Sequence, residues 1–451
     1  MLDDFKQNNN NKTIYGGRSR FLCILLGICS TSIHHVFTAN PRLDTLYEWS
    51  QLEFDYQSDF DRQTDIALKT FIPGKPAPID TDVYYSRDNG HNKIFITIPR
   101  FQPGIPVTLG TVSGKMYNGN PVITPYPSWD WHRNPEACSP NRMVSVYRIM
   151  VDKCDRLWVL DTGRFLETQT CPPQILAFDL VTNKIVHRYE IPSSLLESRS
   201  ILVTPVVDVR EKCSETFVYI ADCQTFSIIV HDVKEGTFWK ATDKTMYPYP
   251  NYGTFNIKGD SFDLMDGVLG MTLSPYVPGK DRKLYYHAMS SPTENWVFTS
   301  DLRNRTRFMH DPESSPEVFH TYRGERRTQS AAEAMDANGI MYYGLMSDVK
   351  IGCWNSDGDY GSRNYNDVIA SDSVTLQFAS GMKVVKNRKH FEELWILTSR
   401  FQKIATDSLD LRDKNFRILV GKVSDHVFGT VCEKKPSGGQ HGGGTYGMIR
   451  P

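Results

Sequence analysis

Short apolar runs with an aromatic at the third position recur six times along the chain. They read KIFIT (93–97), RLWVL (156–160), FVYIA (217–221), KLYYH (283–287), IMYYG (340–344) and ELWIL (393–397). The shared aromatics are Phe95, Trp158, Tyr219, Tyr285, Tyr342 and Trp395, and successive runs start 53 to 66 residues apart. Runs this short, rich in β-branched and aromatic residues, read as strands. A second strand-like run precedes most of them: VYRIMVD (146–152), TPVVDVR (204–210), VLGMTLS (268–274), SAAEAMDA (330–337) and GMKVVK (381–386). A third follows: QILAFDL (174–180), SIIVHDV (227–233), NWVFTSDL (295–302) and FRILVGKV (416–423). In places there is a fourth, as in KIVHRYEIP (184–192). Turn sequences such as Asp88-Asn89-Gly90, Lys234-Glu235-Gly236 and Asp336-Ala337-Asn338-Gly339 punctuate the pattern.

Strand–turn–strand units at this period, with no long amphipathic helix, imply an all-β chain folded as a six-bladed β-propeller. The aromatic belongs to the second strand of each blade, and its expected role is packing between neighbouring blades. Blade six lacks an outer strand of its own. YEWSQLEF (47–54) is expected to supply it, closing the ring and removing an open edge.

Residues 40–432 carry the repeats as one domain. Ahead of them, Arg18-Ser19-Arg20 is followed by the apolar run FLCILLGIC (21–29) and then small and polar residues. That order is a secretory leader over 1–39, cleaved between about 30 and 39. Residues 433–451, with Gly438-Gly439 and Gly442-Gly443-Gly444, read as a disordered Gly-rich tail. Composition changes the picture mainly by exclusion. Lys plus Arg (51) balances Asp plus Glu (52), which argues against nucleic acid as a partner. No later stretch is apolar enough to hold the mature protein in a membrane. A secreted chain makes Asn304-Arg305-Thr306 a glycosylation sequon and the scattered cysteines disulfide candidates.

Longer strings carry a resemblance. SVYRIMVDKCDRLWVLDTG (145–163), CPPQILAFDL (171–180), FVYIADCQTFSIIVHDV (217–233), DGVLGMTLSP (266–275), QSAAEAMDANGIMYYGL (329–345), IGCWN (351–355) and NFRILVGKV (415–423) resemble the insect yellow and major royal jelly family, in order from about residue 45 to 432. Cys154 and Cys213 match yellow-like members. The resemblance implies a secreted six-bladed propeller. Members are linked to cuticle pigmentation and melanin chemistry; some convert dopachrome, and some salivary members bind biogenic amines at the propeller mouth.

Blade geometry orders the cysteines. A strand from Phe217 to Asp222 spans roughly 17 Å, whereas bridged Cα atoms lie within about 7 Å, so Cys213 and Cys223 at its two ends cannot pair. Cys154 and Cys213 occupy the same turn of adjacent blades, and Cys138 and Cys171 share the opposite face. The expected pairs are Cys138–Cys171, Cys154–Cys213 and Cys353–Cys432, with Cys223 free. The family resemblance supports the first and third.

Several motifs exclude chemistry. Asp161-Thr162-Gly163 stands alone, whereas an aspartic protease needs two such carboxylates. Asn355-Ser356-Asp357-Gly358-Asp359 lacks the later residues of an EF-hand. The histidines are dispersed, so no metal site is expected. No GxSxG, Walker A or dinucleotide fingerprint is present, so no cofactor is expected.

The second strands end near Arg100, Asp161, Asp222, Ser290, Met346 and Arg400, which should ring one mouth of the central channel. Inter-blade loops would add Trp129, Trp131, His132, Tyr247 and Tyr249, and blade five Gln329 and Ser330. Two carboxylates, two guanidiniums and aromatic faces suit a small aromatic amine or catechol-derived ligand. Asp161, Asp222 and His132 are the catalytic candidates for a tautomerase or decarboxylase acting on dopachrome. The same residues suit a non-enzymatic binder of amines or pigment precursors, and a structural role among cuticle components needs no site. Alternatively, Arg100, Asp161, Asp222 and Arg400 brace the blades.

Overall fold

The computed structural model describes residues 43–87 and 92–434, and there the strand runs form six antiparallel sheets about one axis. Blade one runs Asp80–Tyr84, Lys93–Thr97, Leu109–Tyr117 and Asn120–Pro125 from the axis outward. Blade two is Val146–Val151, Arg156–Asp161, Gln174–Asp179 and Lys184–Glu190. Blade three is Leu202–Val209, Thr216–Asp222, Ser227–Asp232 and Thr237–Thr242. Blade four is Val268–Leu273, Lys283–Ala288, Thr293–Phe298 and His320–Glu325. Blade five is Glu333–Met335, Ile340–Leu345, Lys350–Asn355 and Asn366–Ser371. Blade six takes Ala379–Lys386, Glu392–Ser399 and Phe416–Lys422, and its outer strand is Asp44–Trp49. Each inner strand packs on the next, and that of blade six packs on that of blade one, so the ring closes.

All six shared aromatics lie in second strands, and none is more than 4% exposed. Truncating a core aromatic of this size costs about 3–5 kcal/mol. In three blades its polar tip meets an aspartate on or just after the inner strand. Trp158 Nε1 donates to Asp152 at 2.8 Å, and the hydroxyls of Tyr219 and Tyr342 donate to Asp208 at 3.3 Å and Asp336 at 2.9 Å. The repeated position is therefore a buried wedge, and in these three blades an aspartate fixes its polar tip.

Ring closure is shared differently from the expectation over 47–54. Asp44–Trp49 pairs antiparallel with Phe416–Lys422, while Glu53–Phe54 runs parallel to Val122 and Ile123 of blade one. The segment thus staples the last blade to the first, and Trp49 Nε1 donates to Pro121 O at 2.8 Å across the seam. Two other runs are shorter than expected: 295–302 leaves the sheet after Phe298 for a helical turn, and 330–337 forms a strand only over Glu333–Met335. The leader, the turn at 88–90 and the tail from 435 lie outside the described residues.

Three disulfides are closed: Cys138–Cys171, Cys154–Cys213 and Cys353–Cys432, with Cα separations of 5.3, 6.0 and 6.2 Å. Cys223 is buried and is the free cysteine among the described residues. No helix there is long and apolar enough to cross a membrane.

Candidate functional site

Four inner strands carry a register shift at the same end of the channel: between Val146 and Ile149, Leu202 and Thr204, Val268 and Gly270, and Ala379 and Gly381. An extra residue in an antiparallel ladder re-aims its side chain. The bulged residues Tyr147, Arg148, Val203, Leu269 and Ser380 all face one axial chamber of about 250 Å³.

Arg148 forms its floor. The guanidinium reaches across the axis and donates to Thr204 Oγ1 (3.2 Å), Leu269 O (3.4 Å), Ala331 O (2.9 Å) and Ser380 O (2.6 Å), which belong to blades three to six. Beyond it lies a smaller space of about 110 Å³ whose walls include Met150, Met271, Met335, Met382, Lys383 and Glu333. One side chain thus divides the channel.

The wall of the main chamber is chiefly apolar. Phe101, Phe378 and Phe401 form one side, with ring centroids of Phe378 and Phe401 4.7 Å apart and those of Phe101 and Phe401 6.4 Å apart. Asp266 supplies the carboxylate. Burial pushes it up to about 6, against the stabilising hydrogen bond from Gln224. Tyr147 and the Cys223 thiol line the same space, and burial holds both protonated. An aromatic wall and one carboxylate in the same chamber, above a cationic floor, suit a small ring that carries a positive charge or loses a proton.

Comparison with known proteins gives this architecture a family. The family model described as "Major royal jelly protein" matches residues 144–432, from the start of blade two to the last disulfide. The chain belongs to the major royal jelly protein family. Major royal jelly protein 9 of Apis mellifera is 35% identical over 423 residues, covering 90% of this chain and 94% of that protein. Dopaminechrome tautomerase of Drosophila melanogaster is 30% identical over 410 residues, covering 89% and 87%. Protein yellow of Drosophila yakuba is 29% identical over 404 residues, covering 87% and 71%.

In this royal jelly family propeller the carboxylates expected at the mouth turn away from it. Asp161 is fully buried and accepts from Val144 N (2.9 Å), Ser145 N (2.7 Å), Gly163 N (3.2 Å) and Gln174 Nε2 (3.0 Å). Asp222, equally buried, accepts from the backbone N–H groups of Ile201, Gln224 and Thr225 through Oδ1. Both tie the end of a second strand to the start of the neighbouring inner strand. Gly163 completes the Asp-Thr-Gly motif because its φ is +66° and a Cβ there would meet Cys171 O.

Arg100 is likewise a brace, donating to the carbonyls of Ile105, Pro106, His132, Met143 and Val144. Arg400 pairs with Asp413. Arg100, Trp129 and His132 do meet, in a separate cleft off the axis over blade one. There burial and the nearby Arg100 lower His132 to about 3, and Nε2 faces Tyr126 O at 3.0 Å. A neutral imidazole fixed in that way is poorly placed as a base for the axial chamber. Trp129 Nε1 is used on Asp55 O, and Trp131 packs on Phe178. Met346 is buried, and Ser330 Oγ donates to Ala332 O. Tyr247 and Tyr249 are partly exposed, and Asn304 is on the surface. Ser290 and Gln329 act on the chamber indirectly, by holding the segment that carries Asp266: Ser290 Oγ donates to Leu264 O (2.6 Å), and Gln329 Nε2 to Tyr252 O and Thr254 O. Asp266 itself opens the string DGVLGMTLSP, where an acid before an inner strand was the available signal.

The histidines are less scattered in space than in sequence. His287 Nδ1 lies 3.1 Å from Glu294 and 2.9 Å from Glu333, both buried, and Nε2 is 3.1 Å from Ser330 O. This corrects the expectation that no histidine–carboxylate set converges. Blades four and five bring the residues together. Arg326 also pairs with Glu294 at 2.8 Å. The cluster thus sets two basic groups, His287 and Arg326, against two buried carboxylates, Glu294 and Glu333.

Proposed function

We propose that this protein is an extracellular pigmentation-pathway tautomerase that converts a catechol-derived aminochrome in the axial chamber. The observation that carries the reading is Asp266, a carboxylate facing an aromatic-walled chamber and raised toward neutrality by burial. The family relationship supports it, since one relative is named for dopaminechrome tautomerisation and another is protein yellow. Three disulfides and the leader expected at 1–39 support an extracellular location, with Asn304 as the glycan site.

Tautomerisation moves a proton from ring carbon to ring oxygen without net oxidation. Asp266 removes the carbon-bound proton, since a base is most useful when its pKa lies near the working pH. Charge then develops on the quinoid oxygens. The protonated Tyr147 phenol and the fixed positive charge of Arg148 supply stabilisation from the chamber wall and floor. Phe101, Phe378 and Phe401 hold the ring.

The test is decay of aminochrome absorbance with purified protein. Asp266→Asn should lower the rate by about 10²–10⁴-fold, the range for loss of a general base, with dopamine binding weakened but still measurable in calorimetry. No rate above the uncatalysed one in the wild-type protein, with dopamine bound, would replace the enzyme by a carrier.

A further inference from the structure

The connection from blade three to blade four carries an insertion, the hairpin Thr254–Ile257 and Asp260–Asp263. Its turn places Lys258 and Gly259 at φ of +56° and +93°, the conformation of a tight two-residue hairpin. The hairpin leaves the ring between blades three and four, yet its contacts lie on blade six. Asp260 Oδ2 pairs with Lys403 Nζ at 3.0 Å. Phe262 stacks on Phe255 within the hairpin and lies 5.7 Å from Phe401 and 6.5 Å from Phe378. Blade six is across the ring from the blade three–four boundary, so the hairpin spans the channel mouth.

The two ends of the span are held differently. The root is held by part-buried hydrogen bonds from blades four and five, through Ser290 and Gln329, and by Leu264 N donating to Gly253 O at 2.8 Å. Toward the tip the hairpin is held by the part-exposed Asp260–Lys403 ion pair, by Phe262 against Phe378 and Phe401, and by the buried side chains of Phe255 and Ile257. Leu264 and Asp266, on the returning arm, line the chamber beneath. We propose that the hairpin is a lid that opens at the Asp260–Lys403 latch and turns about its root, so that closure sets Asp266 against a bound ring. The latch and Phe262 then govern exchange and limit ligand size.

This rests on the axial chamber being the ligand site, but lid opening is readable without any ligand. Cys223 is a free thiol lining the chamber. Its modification by methyl methanethiosulfonate, followed by peptide mass spectrometry, reports opening. Asp260→Asn and Lys403→Met should each raise the labelling rate by about two- to fivefold, as expected for an exposed ion pair. Phe262→Ala should raise it by about tenfold or more, since it removes three aromatic contacts. Asp425→Asn, which breaks a surface pair with Lys422 on the outside of blade six, should leave it unchanged. Equal rates in wild type, Asp260→Asn and Lys403→Met would overturn the lid, and this pair decides the matter if Phe262→Ala fails to fold. Faster labelling in the latch variants with no aminochrome turnover would leave the lid standing and sink only the tautomerase reading.

Discussion

Arg148 is the most connected side chain in the channel, and replacing it with methionine isolates its role. Methionine fills similar space and donates no hydrogen bond. Of the four acceptors lost, Leu269 O keeps a bond from Thr204 Oγ1 at 2.6 Å, and the Thr204 hydroxyl stays satisfied through it. Ala331 O and Ser380 O, which face the axis through the 2.9 and 2.6 Å bonds, lose their guanidinium partner. At about 1–3 kcal/mol for each buried acceptor left unmatched, the loss is about 2–6 kcal/mol. Relief from burying a cation offsets part of this, since burial already lowers the pKa of Arg148 against the pull of Asp80 and Glu333. We expect a net loss of about 3 kcal/mol. For a domain of this size, unfolding entropy of about 2.1 cal/mol/K per residue makes that a fall in Tm of about 4 °C. Scanning calorimetry measures it. Arg148→Lys should fall in between, because an ammonium keeps the charge but cannot reach four blades at once. A melting point for Arg148→Met within about 1 °C of wild type would refute the view that this residue braces the ring.

Two further outcomes follow from the buried carboxylates. Asp161→Asn turns an amide donor toward N–H groups that need acceptors and should cost about 2–4 kcal/mol in urea unfolding. Asp222→Asn should cost about 1 kcal/mol or less, because Asp222 Oδ2 has no hydrogen-bond partner and can be replaced by NH₂. Loss of ligand binding in either variant at unchanged stability would contradict the bracing role. The His287–Glu294–Glu333–Arg326 tetrad should make stability fall with rising pH. Burial and the neighbouring Glu294 raise Glu333 to about 7. Burial and Arg326 work against His287, but Glu333 and Glu294 outweigh them and raise its pKa. Each folded pKa exceeds the unfolded one, so this stabilisation is complete below about pH 4.5 for Glu333 and is lost as pH climbs through 7. Glu333→Gln should flatten the decline in Tm between about pH 5 and 8; an unaltered slope would assign the protons elsewhere.

The fold was legible because a propeller repeats one unit. The third-position aromatic recurs in KIFIT, RLWVL and the four later runs, and the inter-blade wedge needs a large side chain at that point each time. The cysteine pairs were legible for a related reason, since equivalent turns of adjacent blades hold Cys154 and Cys213 at bridging distance. The seam was less so. One strand-like string, 47–54, divides between two blades, and hydrophobic pattern alone does not say where a chain changes sheets.

The residues that the sequence places at the mouth stand a residue or two from those that line the axial chamber, and the offset has a physical cause. Taking the ends of the second strands as the ring around the mouth picks out Arg100, Asp161, Asp222, Ser290, Met346 and Arg400. The chamber is lined instead by their neighbours Phe101, Cys223, Gln224, Met289 and Phe401. At this rim the polar strand ends are spent on backbone groups just ahead of the inner strands, as Asp161 is on Val144 and Ser145. The bulges in turn aim Tyr147, Arg148, Val203, Leu269 and Ser380 inward. A bulge leaves little compositional trace in a short strand. Residues that look chemical in the sequence, Asp161, Asp222 and Arg100, are therefore engaged with backbone groups at the rim. The acid left facing the chamber, Asp266, comes from the arm of the inserted hairpin, where no blade repeat places it.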